Sequence, residues 1–307
     1  MVDPWRSEGR WLRCALHAHT TESDGEMPPA SLVTHYGRAG FDVLALTDHW
    51  KLATSPSTDE VLVLPGVELN CVMPGARDGH VLGLGVTATA DDLRDLAGEY
   101  RSLEETAAWI DEHGGIAFLA HPYWTGITPG TLELPDNVLG IEIYNAGCEL
   151  EIGRGLSAVH WDELLEMGRM CTALATDDSH HPGFDSGHAW TWVRATERTV
   201  EAVVAALGQG CFYGSAGPRL DDVRLDGGTV TVECSPCRAV TLVSSKSIGA
   251  AVNAGRHGYL HKGRILSTTD DGLVTGAALT VPPAASYARI EVTDTAGMKA
   301  WSNPFRV

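Results

Sequence analysis

His17 and His19 follow the apolar run Cys14-Ala15-Leu16, and Asp24-Gly25 comes five residues after the second histidine. Residues i and i+2 of an extended chain point to the same side. Two imidazoles placed this way can grip one metal ion. The pattern then recurs along the chain. Residues 43–46 run into Thr47-Asp48-His49, and 61–64 lead to Pro65-Gly66-Val67-Glu68. His80 heads the apolar stretch 81–86. Residues 116–119 end in Ala120-His121-Pro122, and 172–175 end in Thr176-Asp177-Asp178-Ser179-His180. A single histidine at a strand end is ordinarily a hydrogen-bonded structural residue. Core packing does not explain five segments that end this way, with a glutamate and two aspartates among them. Burying so many ionisable groups without a cation is very costly. A nitrogen and oxygen ligand set without cysteine suits zinc, manganese or iron.

Short apolar runs must carry these residues. Strands are expected at 12–16, 43–46, 61–64, 81–86, 116–119, 139–144, 172–175 and 189–193. Helices are expected between them. The segment 28–39 opens on prolines, where a missing N–H costs nothing. The segment 90–113 spaces Leu93, Leu96, Tyr100, Leu103, Ala107 and Ile110 by three and four residues before Gly114. Two shorter helices are expected at 161–167 and 200–207. Alternating strands and helices over 200 residues predict a parallel α/β architecture, a barrel if the strands close. Sites in such folds collect at the carboxyl ends of strands. His80 precedes its strand, so it must reach the site from a loop or an antiparallel segment. After Pro218 helical periodicity stops. Runs at 223–225, 230–233, 240–243, 258–261, 277–281 and 290–293, separated by Gly and Pro breaks, predict a small β-sandwich-like domain. The expected division is therefore 1–217 and 218–307.

The chain has 307 residues and a formal net charge of -18. That charge disfavours a nucleic-acid polymer as partner, because such binding needs a basic surface. A small anionic substrate remains compatible, since bound metal reverses the local field. No run of about 18 apolar residues spans a membrane. The opening Met1-Val2-Asp3-Pro4-Trp5-Arg6 lacks a signal peptide's apolar core. Seven scattered cysteines are not a disulfide framework, which points to the cytoplasm. Cys234-Ser235-Pro236-Cys237 has no second pair, and incidental thiols are favoured there over redox or metal chemistry.

The order HxH, SDG, TDH, GxE, HP, DDSH resembles the PHP (polymerase and histidinol phosphatase) superfamily of metallohydrolases over roughly residues 10–217. The resemblance implies a distorted (β/α)7 barrel with two or three divalent metal ions (Mn, Zn or Fe). It implies a first metal site of His17, His19, Glu68 and Asp178. Glu68 would bridge to a second site with His80 and His121. Asp24, His49 and His180 would form a third. Of the adjacent aspartates, Asp178 is preferred to Asp177 as ligand, because it shares one side of an extended segment with His180. Asp48, Asp177 and His181 are candidates for supporting or proton-transfer roles, with an exposed loop histidine an equal reading of His181. The segment 210–218 resembles, more weakly, the junction in PHP proteins with an appended β domain, including carbaryl-hydrolase-like members. The mechanism implied is attack by a hydroxide that bridges two cations, with the cations neutralising the developing oxyanion.

Substrate class turns on basic residues, and phosphate recognition usually recruits Arg or Lys. Lys51, Arg154 and Arg219 are the candidates, each weighed against an ordinary surface cation. Trp50, Trp124 and Tyr144 adjoin the motifs and line either a pocket or the core. His35, His113, His160, His188, His257 and His261 match no motif and are read as structural or exposed. The favoured expectation is a phosphoesterase, a phosphatase or phosphodiesterase, acting on a small phosphorylated metabolite or nucleotide. A carboxyl-ester, carbamate or amide metallohydrolase of the same fold is the alternative. A non-catalytic metal-bound interaction module is a third reading, opposed by the complete ligand set. The sequence leaves the oligomeric state unassigned.

Overall fold

The computed structural model describes residues 2–73, 76–96, 101–255 and 262–307. It is a mixed α/β fold in which nine strands come first: β1 (Arg10–Ala15), β2 (Val43–Leu46), β3 (Leu62–Met73), β4 (Ala76–Leu84), β5 (Ile116–Leu119), β6 (Val138–Asn145), β7 (Thr172–Thr176), β8 (Trp190–Ala195) and β9 (Phe212–Ser215). β1 to β7 lie side by side in sequence order. β1, β2 and β3 are mutually parallel, as are β5, β6 and β7. β4 runs antiparallel to both of its neighbours. That reversal carries His80 toward the same end as the other motifs, as its position before an apolar run requires. β2 and β7 are buried along their whole length, which is why they read as continuous apolar runs rather than alternating ones.

The sheet curls back on itself at β7, without a regular ladder to β8. The Thr191 hydroxyl on β8 donates to the Ala175 carbonyl at 2.9 Å and accepts from the Ala175 N–H at 3.2 Å. Gly214 on β9 permits the close approach, because a Cβ there would lie 3.0 Å from the Ala175 Cβ. At the far end, the segments beyond β1 and β7 pair with each other. Asp178 N donates to His17 O at 3.0 Å, and His19 N donates to Ser179 O at 2.9 Å. The seam at the mouth is thus made by the motif residues' own backbone.

Helices pack outside this sheet. They are α1 (Pro29–Arg38), α2 (Ala90–Leu96), α3 (Leu103–Glu112), the short α4 (Pro122–Thr125), α5 (Ala146–Ile152), α6 (Ala158–Glu166), the short α7 (Pro182–Asp185) and α8 (Val200–Gln209). The expected single helix over 90–113 is two helices. Residues 97–100, with Tyr100, lie outside the described residues. The physical reason for the second start is Ser102, whose hydroxyl accepts from Glu105 N at 3.2 Å while the Glu105 carboxylate accepts from Ser102 N at 2.8 Å. That reciprocal cap begins a new helix.

Beyond residue 218 the strands are β10 (Leu220–Asp226), β11 (Thr229–Cys237), β12 (Ala239–Val243), β13 (Gly249–Asn253), β14 (Gly263–Thr268), β15 (Val274–Thr280), β16 (Tyr287–Thr293) and β17 (Lys299–Ser302). β10, β11, β15 and β14 form a separate four-stranded sheet, whereas β17 pairs with β9 and so extends the large sheet through β16, β12 and β13. One apolar core, including Val230, Val232, Leu242, Val252, Ile290 and Val292, joins both sheets. Arg289 of β16, 1% exposed, reaches Asp162 of α6 at 2.8 and 3.0 Å. The expected strand at 258–261 and His257 and His261 lie outside the described residues. β13, β14 and β17 had no clear sequence signal.

Thr191→Val removes both bonds to Ala175 while keeping the side chain's shape. Leaving a buried N–H and carbonyl unpaired costs about 1–3 kcal/mol each at most, so urea unfolding should show a loss of at least about 1 kcal/mol. An unchanged midpoint would mean that the seam does not depend on these bonds.

Candidate metal centre

Each ligand-type side chain sits just beyond, or on, a strand of the curled sheet. His17 and His19 extend β1, His49 extends β2 and pairs as a bridge with Glu68 of β3, and His121 follows β5. Asp178 and His180 follow β7. Three of these turns hold non-glycine residues at positive φ: Trp50 at 55°, His121 at 26° and Asp178 at 53°. Such backbone persists where the surroundings over-determine it, and it clusters at functional sites.

Glu68 is the hub. It is 1% exposed. Its Oε2 lies 3.1 Å from His19 Nε2, 3.2 Å from His17 Nε2 and 3.3 Å from His49 Nδ1. Its Oε1 lies 2.8 Å from His80 Nδ1 and 3.2 Å from His121 Nε2. Asp178 Oδ1 lies 3.0 Å from His17 Nε2 and 3.2 Å from His19 Nε2. The structure therefore brings His17, His19, Glu68 and Asp178 into one group, and His49, Glu68 and His80 into another. His121 joins Cys148 and Asp178 in a third group. Asp24, His49 and His180 also meet, together with His19. Asp24 Oδ1 lies 3.5 Å from His180 Nε2 and Oδ2 lies 3.8 Å from His49 Nε2. His49 thus faces two groups through its two ring nitrogens.

A ring of hydrogen bonds aims the imidazoles. His17 Nδ1 donates to Glu142 Oε1 at 2.8 Å, which turns Nε2 toward Glu68. His180 Nδ1 donates to the Asp178 carbonyl at 3.0 Å. Asn70 donates to His80 Nε2 at 3.1 Å, and Trp50 Nε1 donates to Asn70 Oδ1 at 2.7 Å. Glu142 also accepts from His121 N, Asn145 Nδ2 and the Thr176 hydroxyl. Asn145 Nδ2 bonds Asp178 Oδ2 at 3.0 Å as well. Sequence reasoning missed Glu142, Asn145 and Cys148. The available signal for Glu142 was a charge inside the apolar strand Ile141-Glu142-Ile143.

The neighbouring acids have other work. Asp48 accepts from Thr20 N at 2.8 Å and the Ser23 hydroxyl at 2.7 Å, so it shapes the turn between His19 and Asp24. Asp177 accepts from the backbone N–H groups of Gly187, His188 and Ala189 and from the Tyr36 hydroxyl. Burial pushes its carboxyl up to about 6 in spite of those donors. Of the adjacent pair, Asp178 is the one in the cluster.

The cluster's charges are strongly coupled. Burial alone would raise the Glu68 carboxyl, but His17, followed by contacts from His121 and His17's neighbour His19, holds it well below the usual carboxylate range. Asp178 is held low against the same burial, chiefly by His17 and His19. Burial opposes charging His19, yet Asp178 and Glu68 raise it to about 9. His49 goes the other way, because burial outweighs the pull of Glu68.

The residues present fit divalent cations. Asp178 Oδ1 is buried and makes no hydrogen bond, despite two ring nitrogens nearby. His17 Nε2 and His19 Nε2 face one another at 3.1 Å. Two ring nitrogens and two carboxylates converging on one region are a nitrogen–oxygen ligand set suited to zinc, manganese or iron.

A cavity of about 520 Å³ opens onto the cluster. Its walls include Trp124, Cys148, Glu151, His181 and Phe184 beside the ligand residues, and among the described residues neither lysine nor arginine lines it. Lys51 and Arg154 are exposed and do not line it. Arg154 lies over the Tyr123 ring at 5.6 Å. Arg219, at the start of β10, pairs with Asp221 at 3.2 Å. These three cations thus lie on the surface. Trp124 lines the cavity; Tyr144 stacks on Trp301 instead. His181 is an exposed rim residue whose Nδ1 lies 2.9 Å from Glu26 Oε1. His35, His113, His160 and His188 bond Ser186, Trp109, Ile127 and Phe184 respectively, outside the cluster. A second cavity, about 600 Å³, lies between residues 2–6 and 303–306 and touches no cluster residue.

No family model matches the chain. A solved two-domain protein from Bacteroides vulgatus, described as containing a predicted PHP-like metal-dependent phosphoesterase, superposes with a TM-score of 0.51. It is 15% identical, and the likeness covers 97% of this chain and 95% of that one. The chain therefore has a PHP-like fold, in agreement with the resemblance carried by the motif order. The 5'-3' exoribonuclease Rnm of Salmonella typhimurium is 33% identical over 89 residues, 26% of this chain and 30% of that protein. The 5'-3' exoribonuclease of Haemophilus influenzae is 31% identical over 99 residues, 30% of this chain and 36% of that protein. The chain thus matches about a third of the length of these curated relatives.

Two outcomes test this geometry. Glu142→Gln puts an amide N–H₂ where the carboxylate accepts, so metal affinity measured by competition with a chelator should fall about 10–100-fold. An unchanged affinity would show that Glu142 does not orient His17. His19 is protonated at pH 7 in the metal-free protein and must lose its proton to act as a ligand. Calorimetry in buffers of different ionisation enthalpy should therefore detect proton release on metal binding at pH 7. Affinity should rise with pH through about 9, where His19 is half deprotonated, and level off above it. Binding without proton release would contradict the raised imidazole.

Proposed function

We propose that this protein is a metal-dependent hydrolase, a phosphoesterase that acts on a small phosphorylated metabolite or nucleotide. The observation that carries the reading is Glu68, a buried carboxylate whose two oxygens serve two different sets of histidines. Residues His17, His19, Glu68 and Asp178 would hold one ion, and Glu68, His80 and His121 a second. Asp24, His49 and His180 would hold a third. Bound divalent ions would supply an acidified water and neutralise charge on the departing oxygen.

The chain's own groups do the rest. Glu142 holds the His17 ring through its Nδ1, and Asn70 holds the His80 ring through its Nε2. His181, on the cavity rim and held by Glu26, is placed to give a proton to a leaving group. We take residues 1–217 as a distorted seven-stranded PHP barrel and 218–307 as an all-β accessory domain. Among the described residues, no helix is long and apolar enough to cross a membrane; a cytoplasmic location is part of the proposal.

A net charge of -18 and a cavity that no lysine or arginine lines among the described residues support a small substrate over a nucleic-acid polymer. The local likeness to 5'-3' exoribonucleases favours, as a second reading, the 5′ end of an RNA strand. The same lack of cations favours the carboxyl-ester alternative, whose substrate needs no anion site.

Protein loaded with Mn(II), Zn(II) or Fe(II) should be assayed on p-nitrophenyl phosphate, bis(p-nitrophenyl) phosphate, p-nitrophenyl acetate and a 5′-phosphorylated oligoribonucleotide. We expect phosphoester cleavage that drops about 100-fold or more in His17→Ala, since loss of a ligand removes the metal's contribution. Acetate cleavage without phosphoester cleavage overturns the phosphoesterase reading. Oligonucleotide shortening much faster than nitrophenyl release selects the RNA reading.

A further inference from the structure

The cavity wall carries aromatic rings where a phosphate site ordinarily carries cations. Trp124 stands against the cluster, its ring centroid 5.0 Å from that of His121 and 6.2 Å from that of His80. Its Nε1 donates to Glu151 Oε2 at 2.9 Å, so the indole is held in place. Phe184 comes from a different element, α7, and also lines the cavity. It is 63% exposed. α7 itself is well anchored: the Asp185 carboxylate accepts from the Ser179 hydroxyl and from His180 N and His181 N. Phe184 N donates to His181 O at 2.7 Å. An apolar ring left in water on a fixed scaffold, beside a metal-type cluster, has no packing role.

The charges complement this. Apart from the ligand residues, the ionisable groups that face the cavity among the described residues are Cys148, Glu151, Asp185 and His181. The ligand carboxylates Asp24, Glu68 and Asp178 face it too. Away from the metal cluster, therefore, no described lysine or arginine meets an anionic group on the substrate. The remainder of the substrate must be uncharged where it meets the walls, and the walls there offer π-faces. Stacking on an aromatic side chain is worth about 1–3 kcal/mol per ring.

We propose that Trp124 and Phe184 select substrates in which a flat aromatic or heteroaromatic ring is joined to the single anionic group held at the metal cluster. This rests on the phosphoesterase reading above and names its substrate class. The ring lies against the rim aromatics while the phosphoryl group lies at the ligand residues.

Non-hydrolysable phosphonates separate binding from turnover. Calorimetry of the metal-loaded protein with phenylphosphonate and methylphosphonate should show phenylphosphonate bound about tenfold tighter, the scale of one stacking contact. In Phe184→Ala that ratio should fall toward one with methylphosphonate binding unchanged, and Phe184→Tyr should restore it. Phe184 is exposed, so its replacement leaves the core intact; Trp124→Phe, which keeps a ring but not the bond to Glu151, should retain part of the preference. Equal affinity for the two phosphonates in the parent protein overturns ring selection while leaving the phosphoesterase reading standing. A preference that survives Phe184→Ala and Trp124→Ala also overturns it. Binding of neither phosphonate, together with no cleavage of any phosphoester, overturns both.

Discussion

Everything at the mouth of the curled sheet is organised around one carboxylate that has no water to lean on. Glu68 is almost completely buried, and five imidazoles approach it within 3.3 Å. An ionised carboxylate in such a place costs several kcal/mol in lost hydration. Positive charge must be gathered around it, as protons on histidines or as metal. The requirement explains why five separate segments, β4 in reverse among them, end at one place. It also explains the outer ring: Glu142 aims His17 Nε2, and Asn70 aims His80 Nδ1, at the carboxylate.

The ligand segments are legible in the sequence because chemistry restricts residue type and strand geometry restricts spacing. HxH, TDH and DDSH each put a side chain past the end of an apolar run, and period-two alternation then fixes its direction. The reversed strand was legible for the same reason, since His80 precedes its apolar run. Glu142 was not, because it sits within a run and its partners come from distant segments. A local pattern carries no trace of contacts 125 residues apart, such as that to His17. The helix at 90–113 shows a different limit. Its apolar spacing continues across Ser102, and only the reciprocal cap with Glu105 reveals a second start.

Beyond the ligands, position in the sequence is a weaker guide. Lys51, Arg154 and Arg219 adjoin motifs in the chain, but adjacency in sequence does not place a flexible cation in a cavity. Hydration favours leaving each on the surface, where Arg219 pairs with Asp221. The continuation of the large sheet from β9 into β17 was equally hidden, because strand pairing between residues 213–215 and 300–302 leaves no local signature.

The seam between residues 17–19 and 178–180 has a mechanical meaning. The two segments that close the sheet at its mouth are also the ones that present His17, His19, Asp178 and His180. Any ion they share is a rivet across that joint. Its binding free energy is then also resistance to opening, and local breathing at the mouth and ion release become one motion. The short helix α7 that bears Phe184 hangs from the same joint through Asp185, so the rim that meets a substrate is only as steady as the joint beneath it.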